Sequence, residues 1–539
     1  MTPSSGLRRT RWVALCASAL VSLSVTAAVA DPAGPAGAPT LPGAAGPAAS
    51  ARVASPAAGP PGRAAEADGR EVLRERIVPL RTEEYRELCT PAPFGAPRRH
   101  AFGFFEDVRV TAVEDGSERE GGGVTWSGHV EGAPDHRVGV AMRGVCGAAP
   151  GTAPVVEVVA ALGERVYHVE TLTGRPARVR ITEEDPDHRA PHAPDGSVMS
   201  ADDATAMAHG LRGAEPAAAG DPVVIDVIAG YTDRAVADMG GEQQVVNTIR
   251  WAERKMNEAL ADSGVPASID VIGTYATGYR GDNTSHVMHG KLADPADREL
   301  GARAAQYREN YGVDLITVVN RVDRGQSTGQ GSLPVRGRFD AREAFSVVDV
   351  RSMTDWYNLG HEIGHNLGLF HDPRTLTEQV GGETWRQLLN APYGTGYVTP
   401  RRDHHTIMAY SSACGGPCTA VNQYSNTLNT VDGQPLGNAA ESDNAALARL
   451  TTPIVADYRT LRIQRTRHAL TLEGATGGSA RPAVYGPYAP GTVVAVTARP
   501  QAGFRHTGWV YDGTEYALGP QVNVTMDAPH TLRPVFAAL

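Results

Sequence analysis

One stretch constrains the local fold of this chain more than any other: His361-Glu362-Ile363-Gly364-His365-Asn366-Leu367-Gly368-Leu369-Phe370-His371-Asp372. Histidines four residues apart share a face on an α-helix, so His361 and His365 predict a helix here with both imidazoles turned the same way. Glu362 then falls next to that face, within reach of whatever the imidazoles hold. Gly368 can leave the helix in a backbone conformation closed to residues with a Cβ, which turns the chain and brings His371 to the same point from a new direction. Three neutral imidazole nitrogens around one point make a metal ligand set. With zinc they leave one tetrahedral position for water, whereas a closed structural site needs a fourth protein ligand and has no use for an adjacent carboxylate. The expected ligands of one catalytic Zn2+ are therefore His361, His365 and His371, with Glu362 as general base and Gly368 as structural support. Calcium is left open, with no residue assigned to it.

The rhythm of the chain around this stretch is that of an α/β domain, expected over 221–462. Val223 to Ala229, Ile269 to Tyr275, Val313 to Val319 and Phe345 to Val350 are apolar runs of strand length. Between them Val245, Ile249, Ala252, Met256 and Leu260 recur at helical spacing, Arg298 to Tyr311 also reads as helix, and a further helix is expected from about Thr354 through Leu367. The rest of the chain differs. At roughly 150 residues per domain, 539 residues suggest three or four units. Segment 70–185 carries short alternating runs broken by Gly and Pro, such as Val124-Thr125-Trp126 and Val166-Tyr167-His168-Val169, and predicts a mainly β domain. Segment 463–539 has the same character, as in Val522, Val524 and Met526, and predicts a small separate β module. Segments 31–69 and 186–220 are rich in Ala and Pro and too poor in large apolar groups to offset chain entropy; they are expected as linkers, the second with a processing site.

Residues 1–30 have the form of a secretory signal: Arg8, Arg9 and Arg11, an apolar run from Trp12 to Val29, and Ala28-Val29-Ala30 before Asp31. No later segment is long and apolar enough to predict a membrane anchor, so a secreted chain is expected, its export route open. Four cysteines follow the signal: Cys89, Cys146, Cys414 and Cys418. In an oxidising compartment their even number favours disulfides, with Cys414 and Cys418 of Cys-Gly-Gly-Pro-Cys as a local candidate pair. The net charge of −10 argues against a nucleic-acid partner, which would need an excess of cation. Only Lys255 and Lys291 are lysines, which reads as coding bias rather than function.

The histidine string resembles the extended zinc motif of the metzincin metallopeptidases, and Asp372 after the third histidine resembles their reprolysin or adamalysin-like branch. These families add a methionine turn, matched here by Thr406-Ile407-Met408-Ala409-Tyr410. The likeness runs from about Val223 to Arg459. It includes Ala344-Phe345-Ser346-Val347-Val348, Tyr424-Ser425-Asn426 and Asp443-Asn444-Ala445, and is greatest to bacterial secreted members, including the peptidyl-Asp metalloendopeptidases. It implies an α/β (α+β) catalytic domain with a twisted mixed sheet, an active-site helix, and Met408 as an apolar floor under the histidines. Astacin-like and serralysin-like members use a tyrosine at the offset of Tyr410 as a switchable zinc ligand and oxyanion partner. Reprolysins do not, and a packed tyrosine is the alternative. Asp372 is expected to anchor the junction after the helix, and the pair His404-His405 to lie in a solvated loop. The insert from Pro373 to Asp403 and the Cys-Gly-Gly-Pro-Cys loop depart from the pattern, so the substrate cleft does not transfer.

By the same resemblance the β-rich segment 70–185 is expected to be a propeptide, through Phe104-Phe105-Glu106-Asp107-Val108 and Trp126-Ser127-Gly128, and the protein a zymogen. Cys146 is then either a cysteine switch, its thiolate blocking the metal's open position, or the disulfide partner of Cys89. The last segment resembles bacterial repeat domains related to the internalin B-repeat, through Tyr488-Ala489-Pro490-Gly491-Thr492-Val493-Val494, Gly503-Phe504, Gly508-Trp509 and Val535-Phe536. Both attachment to a cell surface or cell wall and a spacer role fit it. The function expected is a secreted zinc endopeptidase acting on protein or peptide substrates. Acidic selectivity would draw on a cation such as Arg401 or Arg402. The alternatives are a non-enzymatic adhesin that uses the metzincin domain as scaffold, against which the intact Glu362 speaks, and zinc hydrolysis of a non-peptide amide.

Overall fold

A computed structural model describes residues 71–539, apart from 121, 148–152, 164, 173–176, 186–210, 212–221, 324, 356 and 417. The expected signal, the first linker and nearly all of the second lie outside the described residues. Among the described residues the structure is a mixed α/β molecule.

The N-terminal domain is an antiparallel meander. Its strands are β1 (Glu71–Pro79), β2 (Arg99–Gly103), β3 (Arg109–Glu120), β4 (Gly123–Val130), β5 (Ala133–Arg143), β6 (Val155–Leu162), β7 (Arg165–Leu172) and β8 (Arg178–Asp185). They run in the order β1-β8-β7-β6-β5-β4-β3, with β2 paired to β3. Alternation sends Trp126, Val138, Val140, Val158 and Tyr167 to one buried face, where Phe102 and Phe104 complete a core. Cys89 is disulfide-bonded to Cys146 at the edge of that core. The switch expected as one role of Cys146 is thereby corrected: a sulfur held in a disulfide offers no thiolate to a metal.

The central domain is built on a five-stranded sheet of order β10-β9-β11-β13-β12. In chain order it comprises β9 (Val223–Tyr231), α1 (Asp233–Met239), α2 (Glu242–Asp262), β10 (Ala267–Ala276), α3 (Ser285–Ala293), α4 (Gly301–Tyr311), β11 (Leu315–Asn320), β12 (Gly329–Gly331), β13 (Phe345–Asp349), α5 (Ser352–Asp355), α6 (Asn358–Asn366) and α7 (Pro373–Val380). Then come the two-residue ladders β14 (His404–His405) with β15 (Thr419–Ala420) and β16 (Thr430–Val431) with β17 (Gln434–Pro435), and finally α8 (Asn444–Ala456). Strands β9, β10, β11 and β13 are parallel and β12 is an antiparallel edge. β11 and β13 are buried throughout, as near-continuous apolar runs require when helices cover both faces of a parallel sheet. One core layer joins the sheet to α2, α6 and α8, and a second lies against α3 and α4.

Two expectations change here. The single helix expected from Thr354 to Leu367 is two helices, because Tyr357 takes a left-handed conformation (φ 55°) between them. The terminal module is also not separate. Its strands are β18 (Leu470–Leu472), β19 (Gly478–Pro482), β20 (Thr492–Pro500), β21 (Phe504–Tyr511), β22 (Thr514–Tyr516), β23 (Gln521–Met526) and β24 (His530–Ala538). While β18, β24, β21 and β22 form their own sheet, β20 pairs with β3 and extends the N-terminal meander into an 11-stranded sheet. Alternation within each segment cannot show such pairing, because both partners read as ordinary strands.

Candidate active site

Helix α6 carries His361, Glu362 and His365, all buried, and Gly368 ends it. Gly368 has φ 79°, and a Cβ there would lie 2.5 Å from Asn390 Nδ2 and 2.8 Å from the Phe339 ring, so both conformation and space require glycine. The turn delivers His371, likewise buried, against the helix. Asp372 fixes the next step. Its Oδ1 accepts from the Thr375 amide at 2.9 Å, capping α7, and its Oδ2 accepts from the Thr375 hydroxyl at 2.6 Å and from the Tyr410 amide at 3.2 Å.

Each imidazole is oriented through its Nδ1. His361 Nδ1 donates to the Ile407 carbonyl at 2.7 Å, His365 Nδ1 to the Leu369 carbonyl at 2.9 Å, and His371 Nδ1 to Gln379 Oε1 at 3.0 Å. A carbonyl only accepts, so the proton of each neutral ring sits on Nδ1 and its Nε2 presents a lone pair. Those Nε2 atoms face each other, His371 lying 3.1 Å from His361 and 3.0 Å from His365. Lone pairs held this close are stabilised by a cation. Nitrogens about 2.1 Å from a tetrahedral zinc would stand about 3.4 Å apart, a few tenths of an ångström from the separations found. The triad is the one group of three or more His, Cys, Asp or Glu side chains among the described residues arranged to hold an ion.

The surroundings are equally close-fitted. A Cβ on Gly364 would lie 2.5 Å from Met408 Sδ, so the glycine between the two helical histidines lets the methionine sulfur lie against α6. Tyr424 donates its hydroxyl to the Gly360 carbonyl at 2.8 Å on the same helix. The Tyr410 ring lies 4.7 Å from that of His371 and 5.7 Å from that of His361. Edge strand β12 passes over Glu362, where a Cβ on Gly329 would come within 2.0 Å of Glu362 Oε1 and one on Gly331 within 2.4 Å of its carbonyl.

The sequence singled out His361, Glu362, His365, Gly368, His371, Met408 and Tyr410, and the structure brings them together. Cys414 and Cys418 are disulfide-bonded in the turn after Tyr410. His404 turns to Asp403 at 3.0 Å, and Arg401 pairs with Asp403 at 2.9 Å; His404 and His405 lie half-buried in β14 rather than in the solvated loop expected. Arg402 flanks Gly415 together with Arg374. Sequence reasoning missed Gln379, β12, and the carbonyls of Ile407 and Leu369. Backbone acceptors carry no residue signature, Gln379 belongs to no motif, and Gly-Gln-Gly lacks the apolar alternation by which strands are found.

Residues 221–425 match a family described as metallo-peptidase family M12. That segment is thus similar to an M12 metallo-peptidase domain. A second match, over residues 468–538, is to a divergent InlB B-repeat domain. Part of the chain is also similar to curated relatives. A peptidyl-Asp metalloendopeptidase of Stenotrophomonas maltophilia is 26% identical over 251 residues, covering 46% of this chain and 55% of its own length. One of Xanthomonas campestris pv. campestris is 28% identical over 46% of this chain and 54% of its own. One of Pseudomonas aeruginosa is 24% identical over 46% and 43% respectively. The chain thus spans about half the length of the relatives it matches. Among solved structures, "Structure of a chaperone-substrate complex" aligns with TM-score 0.33 and 14% identity over 56% of this chain and 39% of that one. No helix among the described residues is long and apolar enough to cross a membrane.

Proposed function

We propose that the protein is a secreted zinc endopeptidase made as a zymogen, with His361, His365 and His371 holding the ion and Glu362 as general base. The observation that carries this reading is the convergence of three Nε2 lone pairs with every Nδ1 proton already committed, beside a buried carboxylate on the same helix. Zinc, when bound, supplies a Lewis acid that makes water nucleophilic near neutral pH and polarises the scissile carbonyl.

The chain's own groups do the rest. Glu362 accepts the proton of the attacking water and passes it to the leaving amine, and Gly329 of β12 leaves room for its carboxylate. Met408 and Gly364 fix the height of α6 beneath the histidines. Tyr410, anchored through its amide to Asp372, sets its ring beside His371, from where its phenol can stabilise the developing oxyanion. The names of the relatives make peptides with acidic residues the first substrates to test, and Arg374 and Arg402 beside Gly415 are cations on that side of the Tyr410 turn.

The test is mass spectrometry of proteome-derived peptides cut by the purified chain, before and after linker processing. Cleavage should stop on chelation and return with equimolar zinc. Glu362→Gln should lower turnover by about 10²- to 10⁴-fold while retaining the metal. A folded chain that takes up no zinc, or a Glu362→Gln variant as active as its parent, would overturn the reading.

A further inference from the structure

We propose that the C-terminal module is a clamp: it holds the N-terminal β domain on the catalytic domain, so that a chain cut between those two domains remains one particle. The N-terminal domain packs on the outer face of α2, opposite the face that Val245, Ile249, Ala252, Met256 and Leu260 bury in the core. Trp251 is buried there against Gly139 of β5, and polar pairs surround it. Arg250 meets Glu120 at 2.8 Å, Arg254 meets Glu118 at 3.3 Å, and the Thr248 hydroxyl donates to Glu157 at 3.1 Å. The carboxylates of Glu118 and Glu120 reach solvent, so these two pairs weaken in salt.

The contact with the module is of another kind. β2 covers the edge of β3 over residues 109–113, and β20 covers it again at Gly116 and Ser117, opposite Val494 and Val493. Gly95 and Asn523 exchange both backbone hydrogen bonds, at 3.2 and 2.9 Å. Thr525 donates to the Ala92 carbonyl, and Arg119 donates to the Gly491 carbonyl at 3.1 Å. Phe94 leaves its own domain to stack on Tyr511 with ring centroids 4.0 Å apart, edge-on to Tyr516 at 5.0 Å, as part of the module's core. The module grips the catalytic domain in turn, through Arg481 on Asp262 at 2.6 Å and Arg465 on Asp270 at 2.7 Å, with Arg467 on the same carboxylate. All three domains meet at Gly116, where a Cβ would lie 2.5 Å from the Val493 carbonyl and 2.6 Å from Arg254 Nη2. A short backbone ladder with an aromatic anchor is insensitive to salt and leaves an unpaired strand edge if broken.

The experiment places a recognition sequence for a site-specific protease in segment 190–205 of the full chain, cuts to completion, and follows the N-terminal fragment by size-exclusion chromatography over a dilution series. The cut parent should elute as one particle in both 0.15 M and 1 M NaCl. Phe94→Ala should weaken retention about tenfold or more, and by a larger factor than the high salt does. If Phe94→Ala fails to fold, Tyr511→Ala removes the other half of the stack and should give the same loss. Separate elution of the cut parent at low salt, or release by salt with no effect of either aromatic variant, would overturn the proposal.

Discussion

Two of the places where the molecule buries polar side chains treat them in opposite ways. On the outer face of α2 every charge meets its complement: Arg254 bonds Glu258 at 3.0 Å and Ser127 at 2.9 Å, and Lys255 bonds Glu258 at 3.1 Å and lies over the Trp251 ring at 4.4 Å. Burial pushes the Glu258 carboxyl up, but Lys255, Arg254 and Arg137 together hold it well below the usual carboxylate range. On α6, across the core layer that the two helices share, like meets like, with imidazole nitrogens of one polarity aimed at one point. A complementary cluster is satisfied by the chain itself and fixes how domains meet. A cluster of like groups is completed only by something the chain does not supply, and that difference separates a structural site from a chemical one.

This contrast can be broken from either side. The largest effect is expected from Arg254→Ala, which strips Glu258 of a partner inside the interface: about 3–5 kcal/mol of stability should be lost in urea denaturation, with zinc content per folded chain unchanged. A loss below about 1 kcal/mol would show that the α2 cluster is solvated rather than buried. Next comes Gln379→Leu, which removes the acceptor that orients His371. Zinc affinity, read by competition with a chromophoric chelator, should fall about 10- to 100-fold with little change in the melting of the metal-free chain. Unchanged affinity would mean that the His371 ring is held by packing alone. The smallest change is expected from Tyr424→Phe, which removes the hydroxyl on the Gly360 carbonyl and should lower stability by about 1 kcal/mol.

Much of the site is legible in the sequence because its rule is local. The i, i+4 spacing of His361 and His365 fixes a shared face, Gly368 can turn the chain, and the Met408 segment follows in order. The strands around Val223, Ile269, Val313 and Phe345 are legible for the same reason, being apolar runs that only a doubly covered sheet can bury. The break at Tyr357 is not, because a residue with φ 55° there is stabilised by its surroundings rather than by its own preference. Nor is the pairing of β3 with β20, strands nearly four hundred residues apart whose alternation suits many partners.

The sequence by itself determined that three imidazoles and a carboxylate share one helix and its turn, since those positions follow from backbone periodicity and from the conformational freedom of Gly368. Tertiary structure alone decided which atoms aim the rings and where the flanking domains rest. The Ile407 carbonyl, Gln379, the glycines of β12 and the Gly116 junction act through closeness in space, and only packing of the whole chain brings such distant residues within bonding distance.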